Sequence, residues 1–181
     1  KWKKNNFQSE WTKSDTIVAS IGQGFALASP IQLAVMTARI CTNGQLIKPT
    51  IVKNKEFNNK FQKTSLLDEK VYSYVKKGMY NTVNNINGTA FQSRAIKSNY
   101  FMAGKTATSQ VRRITMKERE EGIIKNEDLP RKMRDHALFV GYFPYDKPRF
   151  AFSIVVEHGG SGSKAAAPIA RDICKKLIEE I

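Results

Sequence analysis

The residues AGKTATSQV, 103 to 111, set one cation among small and hydroxylated side chains. Lys105 follows Gly104, and Thr106, Ala107, Thr108 and Ser109 come before the first bulky apolar group, Val111. Strands that only fill a core are rich in Val, Ile and aromatics, and this stretch is not. Side chains alternate along a strand, so Lys105 and Ala107 face one way and Thr106 and Thr108 the other. A charge, hydroxyl donors and an uncrowded backbone suit an anionic ligand. A plain polar edge strand, blunted by a lysine against aggregation, has the same composition. Taken alone, the stretch leaves both readings open.

Other reactive side chains are few. Ser73 and Lys76 have Ser-x-x-Lys spacing, but they fall mid-helix, on the side away from its apolar face, where no helix N-terminus could activate the serine. Ser161 and Lys164 repeat the spacing where a glycine-rich turn leads into a helix, a better setting for a nucleophile. No Ser-x-Asn occurs. His136 and His158 stand far apart and lack a Cys or His neighbour at ligand spacing, so neither a metal nor a cofactor is expected. Cys41 and Cys174 lie among apolar residues at helical spacing and read as two buried thiols.

The elements that must position these residues are legible. In ASPIQLAVMTARICTNG, Ser29 is placed to cap a helix with Gln32 closing the capping box. Pro30 fits the first helical position and Gly44 supplies the left-handed stop. Apolar residues from Ile31 to Cys41 cover most of the circumference, which predicts a helix buried on nearly all sides. A second helix is predicted from about Leu67 to Asn84, with Leu67, Val71, Tyr74, Val75, Met79 and Val83 on one face. A third runs from about Ala165 to Glu180. Between the second and third, YFMAGKTATSQV, HALFVGYFP and PRFAFSIVVEHG read as strands. The short turn PYDKP makes the last two an antiparallel hairpin, with the final helix packed across the sheet. The fold class is α+β. The charged connection 112 to 135 is long for a loop.

The chain has 181 residues, 41% hydrophobic and 25% charged, as expected of one globular domain with a sizeable core. The run from 25 to 41 is broken by Pro30, Gln32 and Arg39, so it is no membrane span, and the basic N-terminus has no apolar region to make it a signal peptide. A net charge of +14 is spread along the chain and favours acidic partners without selecting one.

SIGQGFALASPIQLA, NGTA after a helix, AGKTATSQV, RDHALFVGYFPYDKPRFAFSIVVEHGG and a closing helix together resemble the last part of a penicillin-binding transpeptidase domain. They keep that family's order from roughly residue 15 onward, which is far more specific than any one motif. The chain is most similar to the elongation-class, monofunctional enzymes that cross-link peptidoglycan.

The resemblance implies part of a β-lactamase/transpeptidase-like fold, an antiparallel sheet covered by helices, with residues 1–181 as the C-terminal segment of the domain. It implies that Lys105 supplies a catalytic charge beside a serine nucleophile, and that Thr106 and Thr108 bind a terminal carboxylate. Ala107 stands at the third motif position, and the Thr108 amide forms half of an oxyanion hole. The implied ligands are a peptidoglycan stem peptide ending in D-Ala-D-Ala and β-lactams. The full-length family works at the periplasmic face of the inner membrane.

Two departures qualify this. The third motif residue is usually glycine, and the Ala107 methyl points to the Lys105 side, where a close approach is normally kept free of Cβ. The serine motif and the serine triad belong before SIGQG, so this chain is expected to hold no nucleophile, to be inactive alone and to need the upstream half as a partner. Ser161 falls in the family's connection from last strand to last helix, where serines have no catalytic role. The alternative from another class is a basic, non-enzymatic module for nucleic acid or another polyanion, with Phe101 and Tyr142 as candidate stacking residues. Those aromatics sit in strands that read as buried, whereas stacking residues must be exposed, so no nucleic-acid partner is expected.

Overall fold

The computed structural model describes residues 1–52, 67–94, 100–112 and 114–178. Two short helices, α1 (Trp2–Phe7) and α2 (Lys13–Ser20), precede the first long one, α3 (Pro30–Cys41). The α3 start follows its sequence: the Ser29 hydroxyl accepts from the Gln32 amide, and the Ser29 amide donates to Gln32 Oε1 at 2.8 Å. Its end is set by Gly44, at φ 86°, whose amide returns to the Arg39 carbonyl at 2.7 Å. Helix α4 (Glu69–Asn84) is capped by Asp68, which accepts from the Lys70 amide at 2.8 Å. That cap explains why α4 starts two residues later than the apolar periodicity suggests.

Three strands follow, β1 (Ala103–Ser109), β2 (His136–Phe143) and β3 (Phe150–Val156), with α5 (Met116–Glu121) inside the β1–β2 connection. The sheet is antiparallel with order β1-β2-β3, and it pairs Lys105 with Val140, Thr106 with Phe139, Ala107 with Leu138 and Thr108 with Ala137. The β2–β3 hairpin is the one expected from the PYDKP turn. The last helix, α6 (Ala167–Ile178), begins later than predicted because residues Gly162–Ala166 run as a single π-helical turn. The predicted end at Glu180 lies outside the described residues.

The pleat sorts the sheet into two faces. Phe139, Phe143, Ala137 and the partly buried Phe152 and Ile154 pack with Ala166, Ala167, Ala170 and Cys174 of the closing turn and α6. On the opposite face, Ala103 and Tyr142 pack with Met79 of α4 and with Ile40 and Cys41 of α3.

Three expectations about this second face are corrected. Thr37 is the one fully buried residue of α3, while Ile31 and Met36 are 57% and 44% exposed. The helix lies on the sheet with one side, and none of the described residues covers its other side. Cys41 is correspondingly half-buried, while Cys174 is buried as expected. Along α4, Met79 and Val83 are buried but Val71, Tyr74 and Val75 stay exposed, so the predicted apolar face is covered only at its C-terminal end.

Candidate functional site: the outer edge of β1

Among the described residues, strand β1 has a single strand neighbour, β2, which leaves its other edge without a strand partner. Lys105, Ala107 and Thr108 are exposed and Thr106 is half-buried. The register puts Lys105 and Ala107 on the α3 side of the sheet, in line with Val140 and Leu138, and puts Thr106 and Thr108 on the α6 side with Phe139 and Ala137. Lys105 Nζ donates to the Thr106 carbonyl. In a strand, the N–H and C=O of one residue point to the same side, and residues two apart share it. The Thr108 amide therefore emerges on the same edge as the Thr106 carbonyl. The Lys105 ammonium and the Thr108 amide thus share one edge, with the Thr106 and Thr108 hydroxyls on its α6 side.

The other side of the β1 backbone is shut. Gly162 opens the turn before α6 directly over the Ala107–Leu138 pair, where a Cβ would run into the carbonyl oxygens of both residues. Only a glycine permits that approach, so the closing turn bears directly on the backbone at the third motif position. Beyond the strand, the Val111 amide donates to Asp135 Oδ1 at 3.1 Å, and Asn126 and Asp135 exchange two further bonds of 2.8 and 2.9 Å. The His158 amide donates to His136 Nδ1 at 2.9 Å, and the two rings lie 4.7 Å apart. These histidines, 22 positions apart in sequence, brace the end of β1 through β2.

Sequence reasoning missed a further group. Thr89 Oγ1 lies 3.0 Å from Thr106 Oγ1. Its stretch, NGTA, marks the end of α4 in sequence, and no local pattern says that the turn folds back onto β1.

The two Ser-x-x-Lys spacings do not assemble. Ser161 Oγ bonds to Ser163 Oγ at 3.0 Å, while Lys164 is exposed and pairs with Glu127 at 3.6 Å. Ser73 is exposed on α4, and Lys76 donates to Asn43 Oδ1 at 2.8 Å. Burial pushes the Cys41 thiol up to about 11 and the Cys174 thiol up to about 12, which keeps both protonated at neutral pH. Among the described residues, no group of three His, Cys, Asp or Glu side chains could hold a metal ion. Tyr142 is buried and Phe101 packs edge-on against Tyr80, with 5.6 Å between ring centroids. Phe101, expected to be buried in a strand, instead precedes β1 and is 37% exposed, so burial removes only Tyr142 as a stacking residue.

An edge strand carrying Lys-Thr-Ala-Thr, braced from behind by a glycine turn and a closing helix, is what the resemblance to the penicillin-binding transpeptidase domain leads one to expect, and the comparisons show that family. Residues 3–175 match the penicillin binding protein transpeptidase domain, and the chain belongs to that family. Among its relatives, the peptidoglycan D,D-transpeptidase MrdA of Haemophilus influenzae is 35% identical over 180 residues, which span 95% of this chain and 27% of the relative. The penicillin-binding protein PBP2 of Helicobacter pylori, solved in complex with MreC, superposes with a TM-score of 0.78 at 32% identity, over 98% of this chain and 30% of that one. The PBP2 of Pseudomonas aeruginosa, solved with WCK 5153, superposes with a TM-score of 0.74 at 33% identity, over 95% of this chain and 34% of that one. The chain thus spans about a third or less of the length of these relatives. Among the described residues, no helix is long and apolar enough to cross a membrane.

Proposed function

We propose that this chain is the carboxylate-holding, C-terminal segment of a peptidoglycan D,D-transpeptidase domain, and that residues outside it supply the serine to be acylated. The observation that carries this reading is the edge of β1 that has no strand partner among the described residues, onto which Lys105 folds to donate to the Thr106 carbonyl. A stem peptide ending in D-Ala-D-Ala, or a β-lactam, lies along that edge as an added strand, its carboxylate on the hydroxyls of Thr106 and Thr108. Lys105 adds positive charge on the side where the nucleophile's helix packs. The Thr108 amide contributes one donor to the developing oxyanion. The upstream half of the domain is the required partner, and the completed enzyme works at the periplasmic face of the inner membrane. Ser161 takes no part, because its hydroxyl is engaged with Ser163 and its lysine with Glu127.

Fluorescent penicillin on a denaturing gel tests the proposal. The chain alone is expected to give no adduct that survives denaturation, and a fusion to a serine-bearing upstream half from a relative is expected to give one. A stable adduct on the chain alone that vanishes in Ser161→Ala would overturn the assignment of roles. In the fusion, Thr108→Val lowers the acylation rate. Ala107→Gly raises it by roughly tenfold, if the methyl facing the nucleophile's helix costs about 1.4 kcal/mol in the transition state. Equal rates for the parent and Ala107→Gly would show the departure from glycine to be silent.

A further inference from the structure

We infer that Thr89 is a positioning and specificity-determining residue for the ligand carboxylate, acting through Thr106. The inference rests on the ligand reading of the β1 edge given above and adds a residue that the Lys-Thr-Ala-Thr pattern does not contain.

Thr89 is held in place from both sides. Gly88 packs against the last turns of α4 so closely that a Cβ there would run into the carbonyl oxygens of Asn81 and Thr82. Its amide donates to the Asn85 carbonyl at 2.8 Å. On the other side Ala90 is buried, and its amide donates to the Thr82 carbonyl at 2.9 Å. Between these two anchors Thr89 is exposed, and its hydroxyl reaches β1, 3.0 Å from the hydroxyl of Thr106.

Proton counting then gives the contact a direction. Each threonine hydroxyl has one proton to donate and two lone pairs that accept. A carboxylate only accepts. When Thr106 donates to a bound carboxylate, its single proton is spent, so the Thr89–Thr106 bond survives only with Thr89 as donor. The order is fixed: Thr89 donates to Thr106, and Thr106 donates to the ligand. Donation into the Thr106 oxygen polarises its own O–H, which strengthens the outer bond. It also takes one of the two lone pairs of Thr106 and leaves its proton for the ligand, so a ligand ending in an acceptor-only carboxylate gains more from the site than one ending in a carboxamide. Thr89 therefore sets the preference for a free C-terminus.

Two measurements on the chain itself test this. The first needs no ligand. A thiolate at position 106 is acceptor-only, as the carboxylate is, so Thr89 should stabilise it. Cys41 and Cys174 form a slow background, since burial raises both thiols to about 11 and about 12. Iodoacetamide should alkylate Thr106→Cys about threefold or more faster at neutral pH than the double variant with Thr89→Val, and Thr89→Ser should restore the rate. Equal rates in all three would overturn the proposal.

The second measurement follows N-acetyl-D-alanyl-D-alanine and its C-terminal amide by NMR titration. Thr106→Val should weaken the acid most. Thr89→Val should weaken it less and narrow the gap between acid and amide, with no further loss when added to Thr106→Val. A loss in Thr106→Val and Thr108→Val without one in Thr89→Val would overturn the role of Thr89 alone. Unchanged binding in all of them would overturn the ligand reading and this assignment with it.

Discussion

The two faces of the sheet are finished to different degrees. On the α6 side, Phe139, Phe143, Ala166, Ala167, Ala170 and Cys174 are wholly buried in one continuous cluster. On the α3 side the buried cluster is Met79, Ala103 and Tyr142, and above it α3 leaves Ile31 and Met36 in solvent. A cleft of about 300 Å³ opens on that same side between α3 and the β2–β3 turn, lined by Ile31, Val35, Ala38, Pro49 and Pro148 and by no residue of β1. Lys105 and Ala107 belong to the unfinished face, Thr106 and Thr108 to the finished one. The edge that is proposed to grip a ligand is therefore rigid from behind and open in front. The difference suits a surface on which a second body must pack and bring its own reactive group.

The contrast predicts unequal costs for the same kind of substitution. Phe139→Ala removes a fully buried ring and should cost about 3–5 kcal/mol, whereas Met36→Ala on α3 should cost about 1 kcal/mol or less. Urea unfolding monitored by circular dichroism measures both, and similar values would erase the distinction between the faces. Gly162→Ala sharpens it at the point where the closing turn meets the motif strand. The added methyl has backbone oxygens on both strands to push against, so about 1–3 kcal/mol is expected from overpacking. Because the strain falls on Ala107 and Leu138, amide exchange should quicken along β1 and β2 before it does in α4; a uniform change would argue against a local brace.

The smallest effect belongs to the β1–β2 connection, which stands apart from both faces. Donation from the Thr115 amide, then from Arg112 and the Thr115 hydroxyl, lowers the Glu118 carboxyl from 4.5 to about 2. A depressed folded value means that the capping interaction of α5 is fully present above pH 4.5 and is lost as pH falls through about 2. An NMR pH titration of the Glu118 carboxyl should find its midpoint near 2, and Arg112→Ala should move it upward. A midpoint near 4.5 would show that the cap does not form in solution.

Legibility in the sequence follows the range of the physics involved. Caps and turns are local, so Ser29, Gln32 and Gly44 bound α3 correctly, and PYDKP fixed the hairpin and with it the β2–β3 register. The motif residues Lys105 to Thr108 were found on the strand where alternation put them. Burial is a different kind of quantity, because it depends on what the rest of a molecule lays over an element. The apolar girth of α3 therefore predicted cover that the described residues do not provide. The Thr89–Thr106 contact and the His136–His158 pair were illegible for a related reason. Each joins side chains brought together by a turn or a register, and neither has a spacing that marks it.

Strand β3 carries a consequence for how such a chain survives in a cell. FAFSIVV holds seven residues with no charge, no proline and no glycine, five of them Phe, Ile or Val, and among the described residues it has one strand neighbour. Left without a further strand, its outer edge would be a row of unmatched peptide groups with the composition from which fibrils nucleate. Solubility becomes a race between partners: whichever strand reaches that edge first, one from the same domain or one from another copy, decides whether the sheet is completed or propagated.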